Sequence, residues 1–373
     1  MLRPFFLIFC CVFCNYLLAQ QRTTSNPPHP LIGLQGYFIA EENLLWATYS
    51  GSNLQCTVKG NSAAFVIQGF QHRADQPDFI GIELNGKFIK KIPIQNSIDT
   101  LILDSLLNDT VHRIRLIKLT EAMVGRIAFK SIQLGPNTTL LAPRNHHRQI
   151  LWIGNSLTCG YGNEVTIPAP PLGNPSTGFH SNNENNYYSW SSVTSRTVEA
   201  SSIQICWSGK GVYRNFDGSN SSTMVELTLE ILERQKESII EHNPWDPDLI
   251  LINLGTNDFG PELLGPGKEV DSVLFVGNYI KLIHRLRKNY PQAKILVTLG
   301  TALSDYFPPK TYRLSRCRTY LKSAITASEM ENISFFELEV QHAPYGEDWH
   351  PTIETHRKMS EQITTEIRRI MNW

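Results

Sequence analysis

The sequence predicts two domains of different class: an N-terminal all-β sandwich over residues 30–140, and a C-terminal α/β domain with a doubly wound parallel sheet over residues 148–373. Three observations lead there. Before about residue 140, short β-like runs follow one another with little helical period. After about 148, apolar runs alternate with helical stretches. The apolar runs of the second half are continuous enough to be covered on both faces, which strands of a parallel sheet require. A length of 373 residues also suits two domains better than one.

The first twenty residues, "MLRPFFLIFCCVFCNYLLAQ", stand apart. Arg3 makes a short basic start, Phe5 to Leu18 is almost unbroken apolar sequence, and Ala19 offers a small residue for cleavage. This reads as a secretory signal peptide over residues 1–20, giving a secreted or periplasmic mature chain. The run is short for a membrane span. Neither Cys10, Cys11 nor Cys14 has the small-residue context of a lipoprotein anchor, so anchoring is the lesser alternative. No later segment is apolar enough to span a membrane.

In the first domain "NLQCTVKG", "SAAFVIQGF", "FIGIELNGKFIKKIPI", "DTLILDSL", "HRIRLIKLT" and "GRIAFKSIQL" read as strands. Asn85-Gly86 lies between two of them and predicts a two-residue hairpin turn. "GPNTTLLAPRNHH", from Gly135 to His147, reads as the linker. In the second domain the strands are "QILWIG", "SSIQICW", "DLILINLG", "AKILVTLG" and "ISFFELE". The helices between and after them end with "IETHRKMSEQITTEIRRIMN".

Lysine plus arginine and aspartate plus glutamate both total 34, so the net charge is zero, and nothing points to nucleic acid or an anionic membrane as partner. Cleavage of the leader leaves Cys56, Cys159, Cys206 and Cys317; their spacing is too wide for a zinc site, and the sequence does not choose among their pairings. Asn108, Asn137, Asn220 and Asn332 begin N-x-S/T triplets, which matter only in a host that glycosylates.

An open α/β sheet places its ligand crevice outside the carboxyl ends of its strands. Ser156 follows the first strand of this sheet. "SGKG", with Gly209 and Gly211, follows the second. "GTND", with Asn257 and Asp258, follows the third, and "EDWHP", with Asp348 and His350, precedes the last helix. Each has a bland reading: helix cap, turn or solvated loop. Together they supply the parts of acyl transfer. A serine hydroxyl needs a base, which histidine provides, and the developing oxyanion needs donors. The amides of Ser156 and Gly209 and the side-chain amide of Asn257 are candidates for that oxyanion hole. Trp207, Tyr213, Tyr345 and Trp349 are candidate sugar-stacking walls, since a pyranose presents apolar C–H faces to an aromatic ring. Core packing is an equal reading for Trp207. Trp349 is the foremost candidate for substrate contact, and Asp258 is a further one.

These blocks resemble those of the SGNH (GDSL-type) hydrolase superfamily. Within it, "GNSLTCGYGNE", "ENNYYSWSSVTSRT", "CWSGKGVYRN", "NLGTNDF" and "YGEDWHPTIETHRKM" are similar to carbohydrate esterase family two. "TEAMVGRIAFKSIQL", at Glu121 and Gly125, resembles the end of that family's N-terminal sandwich. The resemblance implies a jelly-roll-like sandwich fused to an SGNH domain, and deacetylation of plant polysaccharides, often at the sugar 6-hydroxyl. Carried over, Ser156 is the nucleophile, His350 the base, and Ser156, Gly209 and Asn257 the oxyanion hole. Two positions depart from the wider pattern. Asn155 stands where an aspartate is usual, and Asp348 lies two rather than three residues before His350. Asp348 is assigned as the residue that orients His350, with a backbone carbonyl near 348 as the alternative.

The expectation is a secreted O-acetyl esterase acting on polysaccharide or oligosaccharide such as xylan or glucomannan. Its chemistry is complete with side chains, so no metal or organic cofactor is required. A lipid or aryl esterase on the same scaffold and a non-catalytic carbohydrate-binding protein are the alternatives.

Overall fold

The computed structural model describes residues 22–94, 97–143, 147–234 and 245–373; the expected leader lies outside them. Two antiparallel six-stranded sheets form the sandwich. One has the strand order Phe38–Glu41, Leu44–Ala47, Gly125–Leu134, Ala63–Gln71, Ile98–Ile102, with Thr23–Ser25 also on Gly125–Leu134. The other runs Thr139–Leu141, Asn53–Lys59, Val111–Lys118, Asp78–Leu84, Lys87–Ile94, with Ile32–Gln35 also on Asn53–Lys59. Val58, Ile67, Ile80, Ile82, Ile114, Leu116 and Ile127 fill the space between them. Asn85 and Gly86 both take positive φ, 54° and 84°, as the tightest hairpin turn needs.

The expected linker is only partly a linker. Its "TLL" segment, Thr139–Leu141, pairs antiparallel with Asn53–Lys59 and extends the second sheet by one edge strand. A β-prone triplet beside an open sheet edge gains three residues of pairing there, which its turn-rich flanks conceal in the sequence.

The second domain is a five-stranded parallel sheet. In chain order its strands are Arg148–Gly154, Ala200–Cys206, Leu249–Ile252, Lys294–Leu299 and Ile333–Glu337. In space the order is second, first, third, fourth, fifth. Both faces are covered. Leu151, Ile153, Ile205 and Ile252 pack with residues of the helices Met224–Arg234, Ser272–Asn289 and Arg313–Ala327. Ile150, Trp152, Leu249 and Leu251 pack with residues of Trp190–Thr197 and Ile353–Met371. The first strand lies between the second and third, so the chain reverses direction of travel there. The segments leaving these three strands come off one edge side by side.

The two domains share core. Tyr37, Tyr49 and Ala122 of the sandwich belong to the same apolar cluster as Ile203 and Ile205 of the parallel sheet. Polar contacts cross as well: Asn186 N donates to Leu119 O at 3.0 Å and Ser181 N to the Gln76 side chain at 2.7 Å. Among the described residues no helix is long and apolar enough to cross a membrane. Cys56, Cys159, Cys206 and Cys317 are all buried and free.

Candidate active site

Ser156 begins a one-turn helix, Ser156–Cys159, directly after the first strand of the parallel sheet. Asn155 caps it: its side-chain oxygen accepts from Leu157 N at 3.1 Å. Its Nδ2 is buried without a partner. The capping job therefore needs only the oxygen that asparagine shares with aspartate.

His350 Nε2 lies 2.7 Å from Ser156 Oγ, and Nδ1 lies 2.9 Å from the Glu347 carbonyl oxygen. A carbonyl only accepts, so the Nδ1–H is donated to Glu347 O. That leaves Nε2 with its lone pair facing the serine hydroxyl. The ring stacks on Tyr161 at a centroid distance of 4.1 Å and 22° between planes. Burial pushes the imidazole down to about 4, against the pull of the Glu347 carbonyl and the Asp348 charge. The base is thus neutral, and able to take a proton, at any pH above that value. In the free enzyme, kcat/KM is expected to lose its acid limb near pH 6.5 and to fall only near pH 4. A pH–rate profile on a short acetyl ester checks this, and a limb at the ordinary histidine value would refute it.

The loop that carries His350 is bent by two left-handed residues, Asp348 (φ 46°) and Trp349 (φ 64°). Such backbone persists only where its surroundings over-determine it. Here Glu347 accepts from His180 N at 3.0 Å and Asn183 Nδ2 at 2.6 Å, and Asp348 N donates to Pro175 O at 2.7 Å. Gly162 makes the approach possible. It sits at φ 55°, and a Cβ there would fall 2.4 Å from the Glu347 Cβ.

Gly209 also requires glycine, but for a different reason than close approach. Its φ is 76°, and an added Cβ would meet open space, so backbone conformation is the constraint. Asn257 Nδ2 donates one hydrogen to Lys210 O at 2.8 Å, which ties the third-strand segment to the second-strand loop and leaves the other hydrogen for a ligand.

Residues 152–358 match the GDSL-like Lipase/Acylhydrolase family, and residues 39–143 match the Carbohydrate esterase 2 N-terminal family. The chain belongs to the GDSL-like lipase/acylhydrolase family. That membership places it among the carboxylic ester hydrolases. It is 30% identical over 361 residues to the Cellulase/esterase CelE of Acetivibrio thermocellus, covering 95% of this chain and 41% of that protein. The chain thus spans less than half the length of that relative. An Acetylxylan esterase / glucomannan deacetylase of Cellvibrio japonicus is 24% identical over 374 residues, with 99% of this chain and 96% of the relative covered. Among solved structures, a family two carbohydrate esterase from Clostridium thermocellum in complex with cellohexaose superposes with a TM-score of 0.76 at 30% identity. The match covers 92% of this chain and 99% of that one.

The geometry corrects two assignments in this acylhydrolase. Asp348 does not contact the imidazole through its carboxylate. Oδ2 accepts from Tyr161 OH at 2.5 Å and Oδ1 from Gly178 N at 3.0 Å, while the Glu347 carbonyl takes the place beside Nδ1. The carboxylate is bonded to the hydroxyl of the tyrosine that stacks on His350. Asp348→Ala is expected to lower kcat/KM by less than about tenfold, since it removes a through-space charge and the bonds to Tyr161 and Gly178 but leaves Nδ1 on the Glu347 carbonyl. A drop beyond about a hundredfold, read by steady-state kinetics, would return Asp348 to the chemistry. Asp258 is not a substrate contact. It is fully buried and accepts from the amides of Val212, Tyr213 and Arg214 at 2.8–3.2 Å. Burial raises it to about 6 against those amides. Its task is to hold the loop after the second strand.

The aromatic candidates divide. Tyr345 and Trp349 lie together next to His350, ring centroids 5.1 Å apart, with Trp349 41% exposed. Trp207 and Tyr213 are half-buried against the core, and the Tyr213 hydroxyl accepts from Asp271 N at 2.9 Å. Tyr161 and Glu347 escaped the reading of the sequence. Both lie inside blocks already singled out, "GNSLTCGYGNE" and "YGEDWHP", where Ser156, Tyr345, Asp348, Trp349 and His350 drew the notice instead.

Proposed function

We propose that this chain is a secreted carbohydrate O-acetyl esterase acting by serine–histidine acyl transfer on acetylated xylan, glucomannan or their oligosaccharides. The observation that carries the reading is the 2.7 Å contact from Ser156 Oγ to a His350 Nε2 whose tautomer is set by the Glu347 carbonyl. As Ser156 Oγ bonds to the acetyl carbon, its proton passes to Nε2. The carbonyl oxygen takes the negative charge and is held by the amides of Ser156 and Gly209 and by the free Asn257 N–H. Each such donor is worth about 2.7–4 kcal/mol of barrier. Collapse breaks the ester bond, and His350 returns the proton to the departing sugar hydroxyl. Water then attacks the acetyl-serine with the same base, releasing acetate and restoring Ser156.

A sugar leaving group is supported by the exposed Trp349 beside Tyr345 and by the names of the relatives. The 6-hydroxyl is the position proposed for the ester. The test is acetate release from acetylated glucomannan and xylan, set against long-chain esters. Product analysis on a regioselectively acetylated glycan then locates the hydroxyl. A clear preference for long-chain esters would overturn the reading in favour of a lipid or aryl esterase. Export is proposed from residues 1–20, and sequencing the amino terminus of secreted protein tests it.

A further inference from the structure

Glu121 lies in the sandwich domain, three residues after the strand Val111–Lys118, and its side chain is fully buried. Both of its carboxylate oxygens reach into the other domain. Oε2 accepts from Ser208 N at 2.7 Å, and Oε1 accepts from Ser208 Oγ in a short hydrogen bond. Ser208 is the residue before Gly209. Glu121 is itself held from three sides. Its amide donates to Glu184 Oε2 at 3.1 Å, and its carbonyl accepts from Lys118 Nζ at 3.2 Å and from Val124 N at 3.2 Å. Its carboxylate also lies within 4.8 Å of Cys159 Sγ, and Cys159 ends the helix that Ser156 begins.

We propose that Glu121 is a positioning residue. By gripping Ser208 through two hydrogen bonds it fixes the loop that presents the Gly209 amide, so the sandwich completes the oxyanion hole of the α/β domain. Ser208 and Gly209 follow the end of the second strand and lead into a turn, and a left-handed glycine offers no stiffness of its own. Besides the Asn257 bond to Lys210 O, the loop is gripped at its two ends. Asp258 holds its far end at residues 212–214, and Glu121 holds its near end at 208. A donor displaced by about 1 Å from a developing charge can cost on the order of a hundredfold in rate. The cluster of Glu121, Glu184 and Cys159 also has the donor set of a cation site. However, both Glu121 oxygens already accept from Ser208, and the Lys118 ammonium lies against the cluster, so its geometry is that of loop support.

The inference rests on Gly209 being an oxyanion donor, and the experiment separates the two. Glu121→Ala, Glu121→Leu and Glu121→Gln are made in the full chain and assayed on 4-nitrophenyl acetate, with circular dichroism and thermal melting to check folding. Glutamine keeps one acceptor for Ser208 N and offers a donor to Ser208 Oγ, which a hydroxyl can accept. The expected result is a fall in kcat of about 10- to 100-fold for Glu121→Ala with KM within threefold, and Glu121→Gln within threefold of wild type. Leucine, which fills the space without an acceptor, replaces alanine in the comparison if alanine does not fold. A kcat within twofold of wild type for the alanine or leucine variant would overturn the proposal. So would equal losses for glutamine and alanine, or a loss appearing only in KM. Ser156→Ala is run beside them. Activity that survives it sinks the serine-esterase reading itself, whereas serine-dependent activity indifferent to Glu121 sinks only this inference.

Discussion

His350→Ala is expected to lower kcat on a short acetyl ester by on the order of 10⁴-fold or more, with the protein still folded. The imidazole is the hydrogen-bond partner of Ser156 Oγ, and the nearby carboxylates are committed elsewhere. Asp348 is held by Tyr161 and Gly178, and Glu347 by His180 and Asn183. Among the described residues no second base contacts Ser156 Oγ. Ser156→Ala is expected to cost about as much, and the double variant little more, because the two groups act on one proton. Steady-state kinetics with circular dichroism decides it. Retention of more than about a hundredth of wild-type kcat by either single variant would mean that the serine and histidine are not the working pair. A neutral carbonyl behind the histidine also makes a specific statement about the transition state. In the proposed mechanism the imidazolium is oriented by a dipole, with the Asp348 charge acting only from a distance.

Lys118→Met is expected to destabilise the sandwich by about 3–5 kcal/mol, read as a shift of the urea midpoint. Lys118 and Asp78 form an ion pair at 2.6 Å in which both side chains are fully buried. The ammonium uses its three hydrogens on Asp78 Oδ1, Thr120 O and Glu121 O. Methionine fills a similar volume but leaves the Asp78 carboxylate with Thr120 Oγ1, at 2.5 Å, and no countercharge. Removing one partner of such a pair costs far more than the pair itself contributes. Lys118→Met combined with Asp78→Asn is therefore expected to recover much of the loss. A single-variant shift under about 1 kcal/mol would show that water reaches Asp78 and the pair is not dry.

The parallel sheet was legible because its central strands are buried on both faces and read as near-continuous apolar runs, such as "LILI" at 249–252 with every residue buried. The Ser156–His350 contact could be anticipated because Ser156 follows a strand and His350 precedes the last helix, at the edge where an open α/β sheet places its crevice. What stayed hidden were relations that side-chain type does not encode. Asp348 and Glu347 are both acids beside His350. Which atom faces the ring depends on two left-handed dihedrals that nothing in "GEDWHP" announces. Asp258 looks like a site residue by position, and only its burial beneath three amides reveals a structural acid. Glu121 and Ser208 lie 87 residues apart, so no local pattern links them.

The hydrogen bond from His350 Nδ1 to the Glu347 carbonyl has a consequence for how this protein would answer a mutational scan. The group that aims the base is main chain, so every substitution at 347 retains it. A scan of side chains would find no acid that aims the base. It would instead record a loss at Glu347 whose cause is the release of His180 and Asn183 and the drift of a carbonyl that is still present. Replacing the backbone amide of that linkage with an ester would leave Glu347 O in place as a weaker acceptor, though it would also remove the Asp348 N–H that donates to Pro175 O, and so reach a group that no alanine can.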